Sequence, residues 1–389
     1  MIYPITITGS DMRSINRSAV LEIIRRESPI SRTTIAERLQ LSLATVMRIV
    51  EGLVDEGFVR LQGDTEWSGG RRRPLLEFDA DGFVVLGADL GGTKLYGAIS
   101  NLGGTILDEI YLERHDTTSE ESYQHLTSLV DQLLASPHLE GRRVRGLGVG
   151  VPGVTLHKEG IVKWAYNFSW RDFPLKARLE SQYDLPISVD NDVNLAALGE
   201  LWFGEGQNAQ SMVAIIIDVG IGAGIIIDRS LHRGAREASG EIGNMIPGRE
   251  FLGRDYRYFG ALESVASGTG ITNRAGDAGQ GTIHAEQVLE AARRGQAWAV
   301  EITADMVDYL AIAITNIMVT IDPEVIILSG GVVGYNDLLI DPILKRINGT
   351  IPTQPKLVSS SLGRRAIVMG AIINVLHNTS NFYVVHKLS

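Results

Sequence analysis

Two short glycine turns carry residue types suited to phosphate chemistry. The first, DLGGTK at 89–94, follows the apolar run Phe83, Val84, Val85, Leu86 and supplies Asp89, Gly91, Gly92, Thr93 and Lys94. Backbone N–H groups bared by adjacent glycines, with a lysine beside them, can cradle a phosphate. The second, DVGIGAG at 218–224, lies between two apolar runs and repeats the design with Asp218, Gly220 and Gly222. Asp89 and Asp218 stand 129 residues apart at matching places, which predicts a duplicated fold with a ligand held between its halves. A third stretch, SVDND, puts Asn191 and Asp192 where a strand gives way to a helix. Side chains at such a junction either cap the helix or meet a ligand, and the stretch alone does not choose between them.

The surrounding elements alternate strands and helices from Phe83 onward, so the class is α/β. Residues 95–100, 145–154 and 322–332 read as further strands, the last two ending in Pro-Gly and Gly-Gly turns. The longest apolar stretch, 212–227, is broken by Asp218 and three glycines, which suits two buried strands better than a membrane span. No charged and apolar leader is visible at the start, so the expected compartment is the cytoplasm and no membrane partner is expected. The chain has no cysteine, which excludes disulfides, thiol catalysis and every zinc site that uses cysteine.

The net charge of −10 is unevenly spread. Residues 1–77 hold 11 Arg and no Lys against 10 acidic residues, whereas the rest holds 25 basic against 36 acidic. The first segment is therefore a different kind of object. Residues 16–27 carry Val20, Leu21 and Ile24 at helical spacing, and Pro29 stops them. Ser31 caps a predicted second helix, 32–39, and Ser42 a third in which Val46, Ile49, Val50 and Leu53 face inward. Thr45 and Arg48 then face out, as a recognition helix requires. Segments 58–62 and 75–78 predict a hairpin wing edged by SGGRRRP, whose Arg71, Arg72 and Arg73 suit a narrow minor groove. Arg32, Ser42, Thr45 and Arg48 complete the candidate DNA contacts.

Taken with the motifs GLGVGVPG, VDND, SGEIGN and ALESVASG, residues 82–375 resemble the ROK family of sugar kinases and sugar-responsive repressors, within the actin and hexokinase class. LSLATVMRIV and GGRRRP resemble the recognition helix and linker of the repressor members, which carry a winged helix-turn-helix that the kinases lack. The resemblance implies an actin/hexokinase-like, ribonuclease H-like duplicated α/β domain pair behind a winged helix-turn-helix. Its implied divisions are 1–80, 81–190 (completed by a C-terminal helix, 366–380) and 191–365. It also implies a sugar pocket made by Asn167, Asn191, Asp192, Glu241, Asn244 and Glu263, with Asp192 at the place of the kinase general base. The implied partners are double-stranded operator DNA with an inverted repeat, a small sugar effector and a second copy of the chain, as homodimer or homotetramer.

Two departures from that family shape the functional expectation. Its histidine after GEIG and its three cysteines before LE hold a structural zinc; here the histidine position is Asn244 and no cysteine follows. No cofactor is expected, and Phe251, Tyr256, Tyr258 and Phe259 are expected to pack that loop by burial instead. In kinase members the second glycine turn offers a hydroxyl to the phosphates, whereas this chain has Asp218 and Val219. Valine cannot donate a hydrogen bond, and an uncompensated carboxylate repels an anion. The turns then read as vestigial phosphate loops, with Asp89 and the glycines bracing the hairpin and Lys94 solvated. The expected function is a non-catalytic, sugar-responsive repressor of carbohydrate genes. The alternative is an ATP-dependent sugar kinase with an added DNA-binding domain.

Overall fold

A computed structural model describes residues 9–66, 73–92, 94–114, 118–256, 259–331, 334–352 and 354–380. The first unit is built from α1 (Gly9–Glu27), α2 (Arg32–Leu39), α3 (Leu43–Asp55) and the antiparallel pair β1 (Val59–Glu66) and β2 (Arg73–Phe78). Ser31 and Ser42 accept hydrogen bonds from the backbone of Thr34 and Thr45, which fixes the starts of α2 and α3. Gln40 ends α2 in the left-handed conformation. α1 begins seven residues before the expected start, because the apolar spacing that marks its core-facing part says nothing about polar turns ahead of it.

Behind it lie two lobes of the same design. The first contains β3 (Val84–Leu90), β4 (Lys94–Asn101), β5 (Ile106–Glu113), α4 (Ser119–Leu134) and β6 (Val144–Val151). A three-stranded flap follows, β7 (Val154–Leu156), β8 (Ile161–Ala165) and β9 (Trp170–Phe173), then α5 (Leu175–Gln182) and β10 (Ile187–Asn191). After α6 (Asp192–Phe203) the second lobe brings β11 (Met212–Ile217), β12 (Ile221–Ile227) and β13 (Ser230–Leu231). It continues with α7 (Glu263–Ala266), α8 (Gly268–Ala275), α9 (Ala285–Arg293), α10 (Ala297–Ile321), β14 (Val325–Gly330), α11 (Ile340–Ile347) and β15 (Lys356–Ser359), before the final α12 (Arg365–Ser380).

The duplication is written in strand order. One sheet runs β10-β6-β3-β4-β5 and the other β15-β14-β11-β12-β13, each with two parallel pairings followed by two antiparallel ones. Residues 212–227 are the β11-β12 hairpin. α10 is apolar and long enough to cross a membrane, but it packs on α7, α8, α9 and α11 within the core of the second lobe.

α6 and α12 lie between the sheets. Gly87, Gly148 and Gly146 let α12 settle on the first sheet against Val368, Ala371 and Val375. Gly199 and Gly370 bring the two helices to backbone contact: a Cβ on Gly370 would stand 1.7 Å from the Leu195 carbonyl oxygen. The winged helix is not a tethered module. Val20, Leu21, Ile24, Leu53 and Phe58 share one buried apolar cluster with Phe83, Val85, Leu102, Met369, Ile372 and Leu376. Each such side chain contributes about 1.5–3 kcal/mol through burial, so the domains are held as one body.

Candidate functional site

The two lobes face each other across a cleft of about 490 Å³. Its lining unites Asp89, Gly91, Gly92 and Lys94 from the first turn with Asp218, Gly220 and Gly222 from the second. Asn167, Asn191, Asp192, Glu241, Asn244 and Glu263 line the same cavity. Thr93 lies outside the described residues.

The sequence around Asp192 folds as a strand running into a helix. Asn191 caps α6 by accepting from the Asn194 N–H at 3.0 Å, and its amide donates to the Gly153 carbonyl at 2.9 Å. Its side chain is thus engaged in holding the helix start and the Pro-Gly turn together. Asp192 opens the helix, and burial raises its pKa to about 6. Glu241 is raised to about 7 by burial, then by the charges of Asp192 and Glu263. Glu263 accepts from the Ile221 N–H and the Gly260 N–H, both at 3.1 Å, so one carboxylate ties the second glycine turn to the loop before α7. Those two bonds oppose the burial that raises its pKa.

Asp89 differs from its expected bracing role. It is 6% exposed, and among the described residues its Oδ1 accepts no hydrogen bond. Burial raises its pKa well above the usual carboxylate range, Asp192 and Asp218 add to the rise, and Arg364 opposes it. The hairpin is held instead by its backbone ladder. Lys94 is exposed, as expected. Val219 meets the first turn directly, since a Cβ on Gly92 would stand 3.1 Å from a Val219 methyl. A methyl group therefore packs where the two glycine turns approach each other. Arg364, 3.8 Å from Asp218, is a cleft residue that sequence reasoning missed. Sequence reasoning also missed Arg114, which braces the cleft from outside its lining: it donates to the Gly92 carbonyl at 3.0 Å and the Asn167 carbonyl at 2.5 Å while lying over the Phe168 ring. No local spacing marks either one.

Chemically, the cleft concentrates carboxylates that sit close enough to raise one another's pKa. Such groups accept hydrogen bonds from hydroxyls when ionised and donate one when protonated, so a neutral polyol fits them better than a bare polyanion. At the place of the family's zinc-binding histidine, Asn244 is an exposed wall residue. Its loop is packed by the buried Phe251 ring, edge-on to Tyr309 at 5.5 Å and 6.1 Å from Tyr256. Phe259 lines the cleft rather than the loop core, and Tyr258 lies outside the described residues.

A buried pair crosses between the lobes behind the cleft. Asp190, fully buried on β10, takes two bonds from the Arg233 guanidinium at 2.8 and 2.6 Å. Arg233 also approaches Glu237 at 3.5 Å, and Glu237 lies 3.0 Å from His157 of the flap.

On the winged helix, Arg48 is exposed on α3, and Ser42 and Thr45 share a hydroxyl contact of 2.8 Å at its start. Arg32 opens α2 and reaches the Pro74 carbonyl at 3.4 Å, which leans it toward the wing. Arg73 begins β2 opposite Glu66. Arg71 and Arg72 lie outside the described residues.

Comparison with known proteins agrees with this geometry. Residues 85–378 match the model of the ROK family, and residues 13–60 match that of a winged helix-turn-helix DNA-binding domain. The chain is 28% identical to the xylose repressor of Caldicellulosiruptor bescii, covering 95% of this chain and 98% of that protein. It is 34% identical to a glucokinase of Halalkalibacterium halodurans, covering 66% of this chain and 83% of the kinase. The crystal structure of a ROK family transcriptional regulator, a homologue of the E. coli MLC protein, superposes with a TM-score of 0.83 at 24% identity, over 95% of this chain and 98% of that one. The chain belongs to the ROK family, with a DNA-reading winged helix in front of its hexokinase-like lobes.

Proposed function

We propose that this protein is a transcriptional repressor of carbohydrate uptake or catabolism genes whose DNA affinity is set by a sugar in the interlobe cleft. The observation that carries the reading is the continuous apolar cluster joining the winged helix to α12, which packs on the very helix that begins at Asp192. A ligand that moves the lobes must then move the DNA-reading face. Two copies would set two α3 helices on an inverted repeat, with Ser42, Thr45 and Arg48 at the major groove and Arg71, Arg72 and Arg73 along the minor groove. Asn167, Asp192, Glu241, Asn244 and Glu263 hold the sugar, with Asn191 fixing the frame. The xylose repressors among its relatives make D-xylose the first effector to test. For xylose to release DNA a hundredfold, it must favour the DNA-incompetent arrangement by about 2.7 kcal/mol.

The sugar-kinase reading retains one specific observation, an Asp192 whose pKa near 6 would suit a general base. Against it stand Val219 between the turns and the carboxylates around them. The deciding experiment titrates operator binding with D-xylose and D-glucose and follows ATP consumption in the same samples. Sugar-dependent loss of DNA without ATP turnover supports the repressor. ATP turnover abolished by Asp192→Asn establishes the kinase.

A further inference from the structure

We propose that the cleft continues beyond its carboxylates into a second saccharide subsite walled by Trp164 and Tyr166, so that the preferred effector is a linked pair of sugar rings rather than one. The inference rests on the sugar-effector reading above and names the ligand class more narrowly. Trp164 ends the exposed side of β8 and is 40% exposed; Tyr166, in the turn that follows, is 54% exposed. Both line the same cavity as Asp192, Glu241 and Glu263, and Phe259 faces it from the second lobe. The cleft thus has two chemistries: carboxylates that take hydroxyls, and at its rim the partly exposed face of Trp164.

Ligand pockets set aromatic and apolar walls beside a few placed polar groups, and the partly exposed Trp164 ring supplies such a wall in the cleft that holds the carboxylates. A pyranose ring is itself two-sided, with hydroxyls around its edge and C–H groups on its faces. One ring held by the carboxylates leaves the rim uncovered, whereas a second ring linked to it would lie its C–H face on Trp164. An aromatic ring suits such a task because it offers a large apolar area with few rotatable bonds.

The rim is also built to hold its position. Gly153 has φ +87°, and a Cβ there would stand 2.1 Å from the Trp164 carbonyl oxygen, so only glycine lets β8 lie this close to the Pro-Gly turn. The Gly153 carbonyl is in turn held by Asn191 at the start of α6. From the other side, Arg114 grips the Asn167 carbonyl and lies over Phe168, 3.9 Å from its centroid. The segment carrying the two aromatics is therefore tied at one end, through Gly153, to Asn191 of the pocket and at the other, through Arg114, to the Gly92 turn, as a preorganised subsite requires.

The test is calorimetric titration of the full chain with D-xylose, xylobiose, D-glucose, cellobiose and ATP, repeated on Trp164→Ala and Trp164→Phe. Operator binding and far-ultraviolet circular dichroism check that each variant folds. We expect one disaccharide to bind at least tenfold more tightly than its own monomer. Trp164→Ala should bring that disaccharide down to the monomer's affinity, and Trp164→Phe should retain most of the difference. Monosaccharide binding equal to or tighter than disaccharide binding, indifferent to Trp164, overturns the subsite and leaves the sugar sensor standing. ATP binding that depends on Trp164 overturns it in favour of base stacking. Binding of no sugar in the panel removes the sensor reading and this one with it.

Discussion

Glu241 gives a direct test of the cleft's electrostatics. Its pKa stands near 7 against an ordinary 4.5, because burial penalises its charge and Asp192 and Glu263 repel it. With the folded pKa above the unfolded one, the folded state holds the extra proton between those values. The stability that comes with this proton is present in full below about 4.5 and is lost as pH rises through about 7. The displacement corresponds to about 3 kcal/mol of stability lost across that window. Glu241→Gln keeps the side chain's shape and removes its titration, so it should flatten much of that fall and stabilise the sugar-free protein at alkaline pH. The same change should weaken sugar binding, since an acceptor for hydroxyls is lost. Urea unfolding at about pH 5 and about pH 8, followed by circular dichroism, measures both slopes. A variant whose stability declines with pH as steeply as the parent's would refute the argument that Glu241 carries this strain.

Asp190→Ala removes the close partner of the buried interlobe pair and leaves Arg233 only its longer contact with Glu237; denaturant unfolding should show a loss approaching about 3–5 kcal/mol. Leu53→Ala cuts a fully buried side chain from the cluster beneath the recognition helix and should cost about 2–5 kcal/mol, read as a lower midpoint for operator-competent protein. Ser42→Ala removes the cap of α3 and should cost about 1 kcal/mol, visible as a small drop in melting temperature. If Arg48 meets a phosphate, Arg48→Ala should weaken operator binding and lower the slope of log affinity against log salt by about one, whereas an unchanged slope with altered base preference would place it on a base edge.

Much of this architecture was legible in the chain. Serine caps at 31 and 42 and the spacing of Val46, Val50 and Leu53 fix the reading domain locally, and the two matching glycine hairpins expose the duplication that the strand orders display. Motif matches also nominated residues that the fold gathers into one cavity. What escaped was set by tertiary contact. Asp190 and Asp192 stand two residues apart in VDND, yet one is a buried partner of Arg233 and the other opens into the cleft. Asn191 between them is engaged in capping and in holding Gly153. The strand-to-helix junction at Asn191 separates the two aspartates, but only the approach of the second lobe gives Asp190 its partner. Arg114 and Arg364 were invisible for the same reason, since each acts on groups far along the chain.

α6 links these observations physically. Its twelve residues span about 18 Å, with Asp192 at the cleft and Trp202 and Phe203 at the winged helix. Trp202 lies under the Arg25 guanidinium of α1, 4.5 Å from its ring centroid, while Glu22 holds that guanidinium by two hydrogen bonds of 3.0 and 3.1 Å. Phe203 presses on Gly104, where a Cβ would meet its ring at 2.9 Å. Because Gly199 and Gly370 lock α6 to α12 at backbone contact, neither helix can tilt alone. The Arg229 turn of the second lobe also lies within electrostatic reach of Arg25, Arg26 and Glu22 of α1. If a ligand closes the lobes, α6 and α12 would carry that motion toward α1. Packed interfaces of this kind respond by switching between arrangements rather than by deforming smoothly, and the seam between Arg25 and Trp202 is where such a switch would reach the DNA-reading domain.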